Sequence, residues 1–211
     1  MIKQEYKKIV EIFEQHEKSF IERKEKMNTI PFSKTNWSNS YLDFTTYESI
    51  INQLKPPEVF EKEKMASIKN HYVNDKLIYS FNKENENWGS VFVDYDNDNT
   101  KWLLFSENYD DEMVLQQLKT AYYQNNRIIK KIFYLSDKDA EEETLMVDLF
   151  NYNKDGKLDS IIRNGFYEMK ATVLPERKIS FEYGNSKVKI YSTQEIAGDV
   201  KKQLIYKGKE C

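Results

Sequence analysis

LMVDLFNYNKDGKLDSIIRNGFYEMKATVLPERKISFEYGNSKVKIY, residues Leu145 to Tyr191, is the stretch on which the fold reading turns. Asp155-Gly156, Asn164-Gly165 and Gly184-Asn185 are dipeptides that tolerate positive φ, the backbone state a tight hairpin demands. Between them Leu145–Tyr152, Lys157–Arg163, Phe166–Val173, Ile179–Tyr183 and Lys187–Tyr191 read as strands. Ile179, Phe181 and Tyr183 alternate with Ser180 and Glu182, and Val188 and Ile190 alternate with Lys187, Lys189 and Tyr191. Period two with one apolar face predicts an antiparallel meander, core on one side and water on the other.

Working toward the N-terminus, Arg127–Leu135, Lys101–Phe105, Gly89–Tyr95 and Lys76–Phe81 have the same short β-branched or aromatic character and are bounded by Asn and Asp. Two segments depart from it. Met113, Val114, Leu118, Ala121 and Tyr122 follow Asp110-Asp111 at helical spacing, which predicts an inserted helix near 110–125. Ser192-Thr193-Gln194-Glu195 has the capping-box form, with Ile196, Val200, Leu204 and Ile205 on one stripe, and predicts a closing helix over 193–207. At the other end, Ile2, Tyr6, Ile9, Val10, Phe13, Phe20 and Ile21 predict one amphipathic helix from Ile2 to about Met27. A polar stretch from Asn28 to Asp43 follows, anchored by Phe32, Trp37 and Tyr41. Thr45-Thr46-Tyr47-Glu48 opens a short helix that must stop before Pro56-Pro57, and a further helix is expected from Pro57 to about Asn70.

The fold class expected is therefore α+β. An N-terminal helical part (1–70) packs on an extended, mostly antiparallel meander sheet (71–192), and a C-terminal helix closes a single domain of 211 residues. A weak repeat runs through the sheet: Tyr95, Tyr152 and Tyr183 each precede an Asn/Asp/Gly turn that is followed by Lys and apolar residues. Twisted hairpins select these residues on their own, and duplicated hairpin units loosely resemble the YD repeats of bacterial toxins.

The chemistry that the residues exclude is broad. A charged N-terminus, no apolar run of membrane-spanning length, and one cysteine, Cys211 at the last position, imply a cytoplasmic protein without disulfides. Six scattered glycines offer no phosphate loop, no serine sits in a nucleophile elbow, and no cofactor is expected. His16 and His71 read as structural or surface residues. Asp94-x-Asp96-x-Asp98 and Asn151-x-Asn153-x-Asp155 imitate the start of a calcium loop, but position 12 is Phe105 or Ile162 where a bidentate Glu belongs, so solvated turns are expected and no metal.

Charge distribution says more. The chain holds 32 Lys and Arg against 35 Asp and Glu, a net −3. That near-neutrality conceals nine carboxylates against one lysine in residues 84–112, and five against one in 137–143, set against a basic remainder. Trp88, Tyr95, Trp102 and Tyr109 interleave with Asp94, Asp96, Asp98, Glu107, Asp110 and Asp111, a mixture suited to a basic protein partner and repellent to nucleic acid and anionic membrane. A compact, signal-free, acidic-patched chain of this character resembles the immunity proteins of polymorphic and contact-dependent bacterial toxin systems. The resemblance implies a non-enzymatic module that binds and neutralises a cognate, basic toxin, here through those ten residues. The rival is a small enzyme or ligand-binding domain with a pocket between sheet and helices, which would have to bring two ionisable groups within hydrogen-bond reach.

Overall fold

The computed structural model describes residues 2–43, 47–52, 54–63, 66–138, 142–167, 172–184 and 186–209. Among these residues three α-helices, α1 (Ile2–His16), α2 (Phe20–Thr29) and α3 (Tyr47–Ile51), accompany thirteen strands. These are β1 (Lys34–Ser38), β2 (Val59–Phe60), β3 (Ile68–Val73), β4 (Lys76–Asn82), β5 (Ser90–Tyr95), β6 (Asn99–Glu107), β7 (Met113–Gln124), β8 (Arg127–Asp137), β9 (Glu142–Tyr152), β10 (Leu158–Tyr167), β11 (Thr172–Gly184), β12 (Lys187–Ile196) and β13 (Asp199–Lys209). All lie in one antiparallel sheet, and from β3 to β13 each strand pairs with its neighbour in sequence. None of the described helices is long and apolar enough to cross a membrane.

A single-layer sheet has two faces to bury, and the alternation along each strand assigns its residues to one or the other. Ile9, Phe13 and Met27 of α1 and α2 cover the first face, over Tyr79, Phe92, Leu103, Phe105, Leu118, Ile132, Tyr134 and Val147. On the second face Tyr41 packs over Val91, Val93 and Trp102. Farther along that face, Ile50 and Ile51 of α3 sit on Phe150, Ile161, Ile179, Phe181 and Ile190. The segment between β1 and β2 is thus a strap across the face opposite the two long helices.

Beside the apolar contact of α3 lies a buried ionic cluster. Lys131, Asp148 and Arg163 are directly opposite one another on β8, β9 and β10. Arg163 grips Asp148 through Nε at 2.7 Å and Nη2 at 2.8 Å, and reaches Glu48 of α3 at 3.2 Å and Asn52 at 3.1 Å. Lys131 pairs with Glu48 and stands 3.9 Å from Asp148. A carboxylate as buried as Asp148 survives only because cations flank it on both strands.

The weak tyrosine repeat has a physical basis. Tyr95, Tyr152 and Tyr183 donate their hydroxyls to the carbonyls of Leu77, Ile128 and Leu158 on the preceding strand, at 3.0, 2.8 and 2.8 Å. In each case the residue just before that carbonyl is a cation over the tyrosine ring: Lys76 at 4.9 Å, Arg127 at 5.4 Å and Lys157 at 4.8 Å. Each clamp joins the end of one strand to the start of the strand before it, at the same end of the sheet. Gly156, at φ +79°, completes one of them, because a Cβ there would come within 2.2 Å of the Arg127 guanidinium.

Several expectations are corrected. The closing helix over 193–207 is instead the β12–β13 hairpin, turned by Ala197 and Gly198 at φ 54° and 87°. The helix near 110–125 is β7. The helix from Pro57 is replaced by β2 and β3, with Trp37 opposite Phe60, and the first helix is broken at residues 17–19. Asn164-Gly165 is no turn: it is an irregularity inside β10, where the pairing with β11 shifts between Arg163 and Gly165. Asn28–Asp43 does pack down, with β1 inside it and Phe32 stacked on His71 at 4.2 Å. Thr45, Thr46 and Asn185 lie outside the described residues, as does Cys211.

The strap makes stability depend on acid in a defined way. Burial pushes the Glu48 carboxyl up, but Lys131 and Arg163 outweigh it and hold it at about 2, below its ordinary 4.5. Its contribution is therefore complete above pH 4.5 and is lost as pH falls through 2. Glu48→Gln should lower unfolding free energy at pH 7 by about 3 kcal/mol and flatten the fall in stability between those values. Urea midpoints measured across pH check this; parallel curves for the two proteins would contradict it.

Candidate functional site: the acidic end of the sheet

In a meander, alternate turns fall on the same end, so residues far apart in sequence meet there. The turn before β5, the β6–β7 turn and the β8–β9 turn share one end, and with them come both extremities of the 84–112 run and the described carboxylates of the 137–143 run. The two are neighbours: a small recess is lined jointly by Asn108, Val114 and Gln116 on one side and by Ser136, Asp137 and Lys138 on the other, with Glu17 just after α1. Asp139 and Glu141 lie outside the described residues.

The local backbone explains how this end presents its side chains. Glu86–Trp88 forms a single 3-10 turn, capped by the Asn85 side chain accepting from the Asn87 amide at 3.0 Å. Asn87 Nδ2 donates to Glu107 at 2.9 Å and fastens that turn to β6. In the next turn Asn108 Oδ1 accepts from the amides of Asp110 and Glu112 at 3.0 and 2.8 Å, and Asp111 takes φ 60°, a state that Asp tolerates. Held by these bonds, Trp88 is 63% and Tyr109 87% exposed. Asp110, Asp111 and Glu112 have no cationic partner among the described residues; Glu86 pairs with Lys24, and Lys138 with Glu17.

The ten residues expected to form one surface do not all meet. Trp88, Glu107, Tyr109, Asp110 and Asp111 share the acidic end. Asp94, Tyr95, Asp96 and Asp98 stand at the far end of β5 and β6, roughly 27 Å away at the rise of an extended strand. Trp102 is 3% exposed, a core residue whose Nε1 donates to the Leu42 carbonyl at 3.0 Å while Lys119 lies over its ring at 4.1 Å. The alternation Val91, Val93 / Trp102, Leu104 signals this burial in the sequence. Carboxylates from Asp137 and Glu142, outside the expected set, belong to the acidic end because their turn does.

Two of the far-end carboxylates are committed to cations. Arg23 of α2 holds Asp94 by two bonds of 2.9 and 2.8 Å, and Asp96 pairs with Lys101 at 2.8 Å. Burial raises the Asp94 carboxyl and Arg23 more than offsets it, leaving it below its ordinary value. Beside them runs an open groove of about 870 Å³, lined by His16, Arg23, Lys26, Asp94, Tyr95 and Lys101 among others. His16 Nδ1 is 3.3 Å from Arg23 Nη2, and burial together with Arg23 lowers its pKa. Among the described residues no group of three His, Cys, Asp or Glu side chains could hold a metal. His71 is stacked between Phe32 and Phe81, and burial and Lys69 bring its pKa to about 4.

No protein-family model, curated protein or solved structure matches the chain.

With Asp94 and Asp96 each held by a cation, the Asp94–Asp98 turn offers calcium no ready ligand set. Millimolar calcium or EDTA should leave the melting temperature unchanged; a saturable rise with calcium, absent with magnesium, would contradict this.

Proposed function

We propose that this chain is a non-enzymatic binding module that neutralises a basic protein, in the manner of the immunity proteins of bacterial toxin systems, and that it docks through the acidic end of its sheet. One observation carries the reading: two large aromatic side chains stand exposed on short, hydrogen-bonded turns at the end of the sheet where Asp110, Asp111 and Glu112 have no cationic partner among the described residues. Exposed Trp and Tyr of restricted mobility supply contact area at small entropic cost. Uncompensated carboxylates steer a cationic partner during encounter and gain counter-charges on docking.

A second reading, a ligand-binding groove between α2 and β4–β6, is favoured by one observation. The groove brings His16, Arg23 and Asp94 within hydrogen-bond reach. Against it, Asp94 occupies the Arg23 guanidinium on two of its nitrogens and Ser19 takes the third, so the trio acts first as a clamp that holds α2 on β5.

The partner to test is the product of the adjacent open reading frame, assayed for toxicity, rescue and complex formation. The triple variant Asp110→Lys, Asp111→Lys, Glu112→Lys should slow association at least tenfold and flatten its salt dependence. Trp88→Ala with Tyr109→Ala should weaken affinity about tenfold or more. The far-end pair Asp96→Lys and Asp98→Lys should bind as the parent does. Absence of any complex, or equal losses from both ends, would overturn the reading; binding abolished by His16→Ala alone would move it to the groove.

A further inference from the structure

The ionic cluster under the strap is not neutral. Two carboxylates, Glu48 and Asp148, meet two buried cations, Lys131 and Arg163, with a third, half-buried cation, Arg177, at the margin. The first two cations take both carboxylates. Arg177, on β11, is directly opposite Arg163 on β10, and the row continues through Gln194 on β12 to Lys201 on β13. Like charges placed directly opposite on adjacent strands repel, so this arrangement costs stability unless an anion joins it.

Arg177 finds only neutral acceptors. Its Nε donates to Ser192 Oγ at 2.6 Å and its Nη2 to the Ile51 carbonyl at 3.0 Å, the free carbonyl end of α3. It forms no ion pair, and its Nη1 has no acceptor, among the described residues. Burial and the neighbouring Arg163 lower its pKa by more than Asp148 and Glu48 raise it. The guanidinium lines a recess of about 400 Å³ whose wall also carries Asn52, Arg163, Ser192, Gln194 and Gln203. No carboxylate lines the recess; Asn52 and Arg163 already donate to Glu48 and Asp148, and Gln194 gives one N–H to the Pro175 carbonyl at 3.2 Å, which leaves Gln203 and the second N–H of Gln194 as donors beside Arg177.

We propose that this recess binds a small oxyanion, phosphate or carboxylate, with Arg177 as its charge partner and the amides of Gln194 and Gln203 as further donors. A guanidinium bound to two neutral acceptors keeps N–H groups available for an oxyanion, and a planar donor array suits both ligand types. The site is on the face of the strap, independent of the acidic end.

Thermal unfolding of the whole protein by scanning calorimetry at increasing sodium phosphate, and separately sodium acetate, at ionic strength held constant with sodium chloride, tests it. A saturable rise in melting temperature beyond the chloride control is expected, and the anion that produces it, phosphate or acetate, assigns the ligand type. Arg177→Met should lower affinity at least tenfold. Gln194→Glu, which places a carboxylate directly across from Arg177 and supplies the missing charge from within, should raise the melting temperature without ligand and abolish the response. No rise beyond the chloride control, or an equal rise in the parent and Gln194→Glu, would overturn the proposal.

Discussion

Arg163 holding Asp148 and Glu48 together is the interaction on which the second face of the sheet depends. In this meander each face is covered by elements from the N-terminal part of the chain. The first face receives two amphipathic helices, α1 and α2, whose apolar stripes suffice. The second receives only a strap with one short helix, too small to be held by apolar contact alone. The charges supply the remaining specificity: Glu48 can enter only where Lys131 and Arg163 wait for it, which fixes the position of α3 on the sheet. Lys119 and Asp43, paired at 2.6 Å, repeat the device near the start of the strap. Buried pairs of this kind add less to stability than their Coulomb energy suggests, because both ions lose their water, but they penalise every misplacement of the strap.

The hairpin turns make the meander legible, while the strands β7 and β13 also carry apolar spacings that a helix would give, in part because each contains a bulge. A β-bulge inserts one residue into a strand and shifts the phase of its alternation. In β7 the pairing passes from Leu104↔Gln117 to Phe105↔Leu115, so Leu115 and Leu118, three apart, face the same core, which is helical spacing produced by a strand. In β13 a bulge at Ile205 does likewise, bringing Ile205 and Tyr206 both against the core. Val200 and Leu204 are four apart, an interval that fits two turns of pleat as well as one turn of helix, so it could not discriminate. The turn that would have decided the matter is Ala197-Gly198, and Ala at positive φ is too uncommon to serve as a signal.

The candidate site was legible as composition and illegible as shape. Reading along the chain grouped Asp94 with Asp110 because they are close in number; the sheet separates them by the length of β6. It joins instead the 108–112 turn to the 137–142 turn, about thirty residues on, because strands of nearly equal length return the chain to the same end. The spacing of acidic runs by one full hairpin was the available signal. The net charge of −3 carries none of this, since it sums an acidic end with the lysine-rich strands β12 and β13.

The measurement that bears most directly on this account is hydrogen exchange on the complex with the partner from the adjacent reading frame. Protection should appear over 84–88, 107–112 and 137–138 together, three segments united only by the meander, and be absent from 96–98, 125–126 and 153–157 at the opposite end. Protection confined to the far end, or to one acidic run without the other, would contradict it.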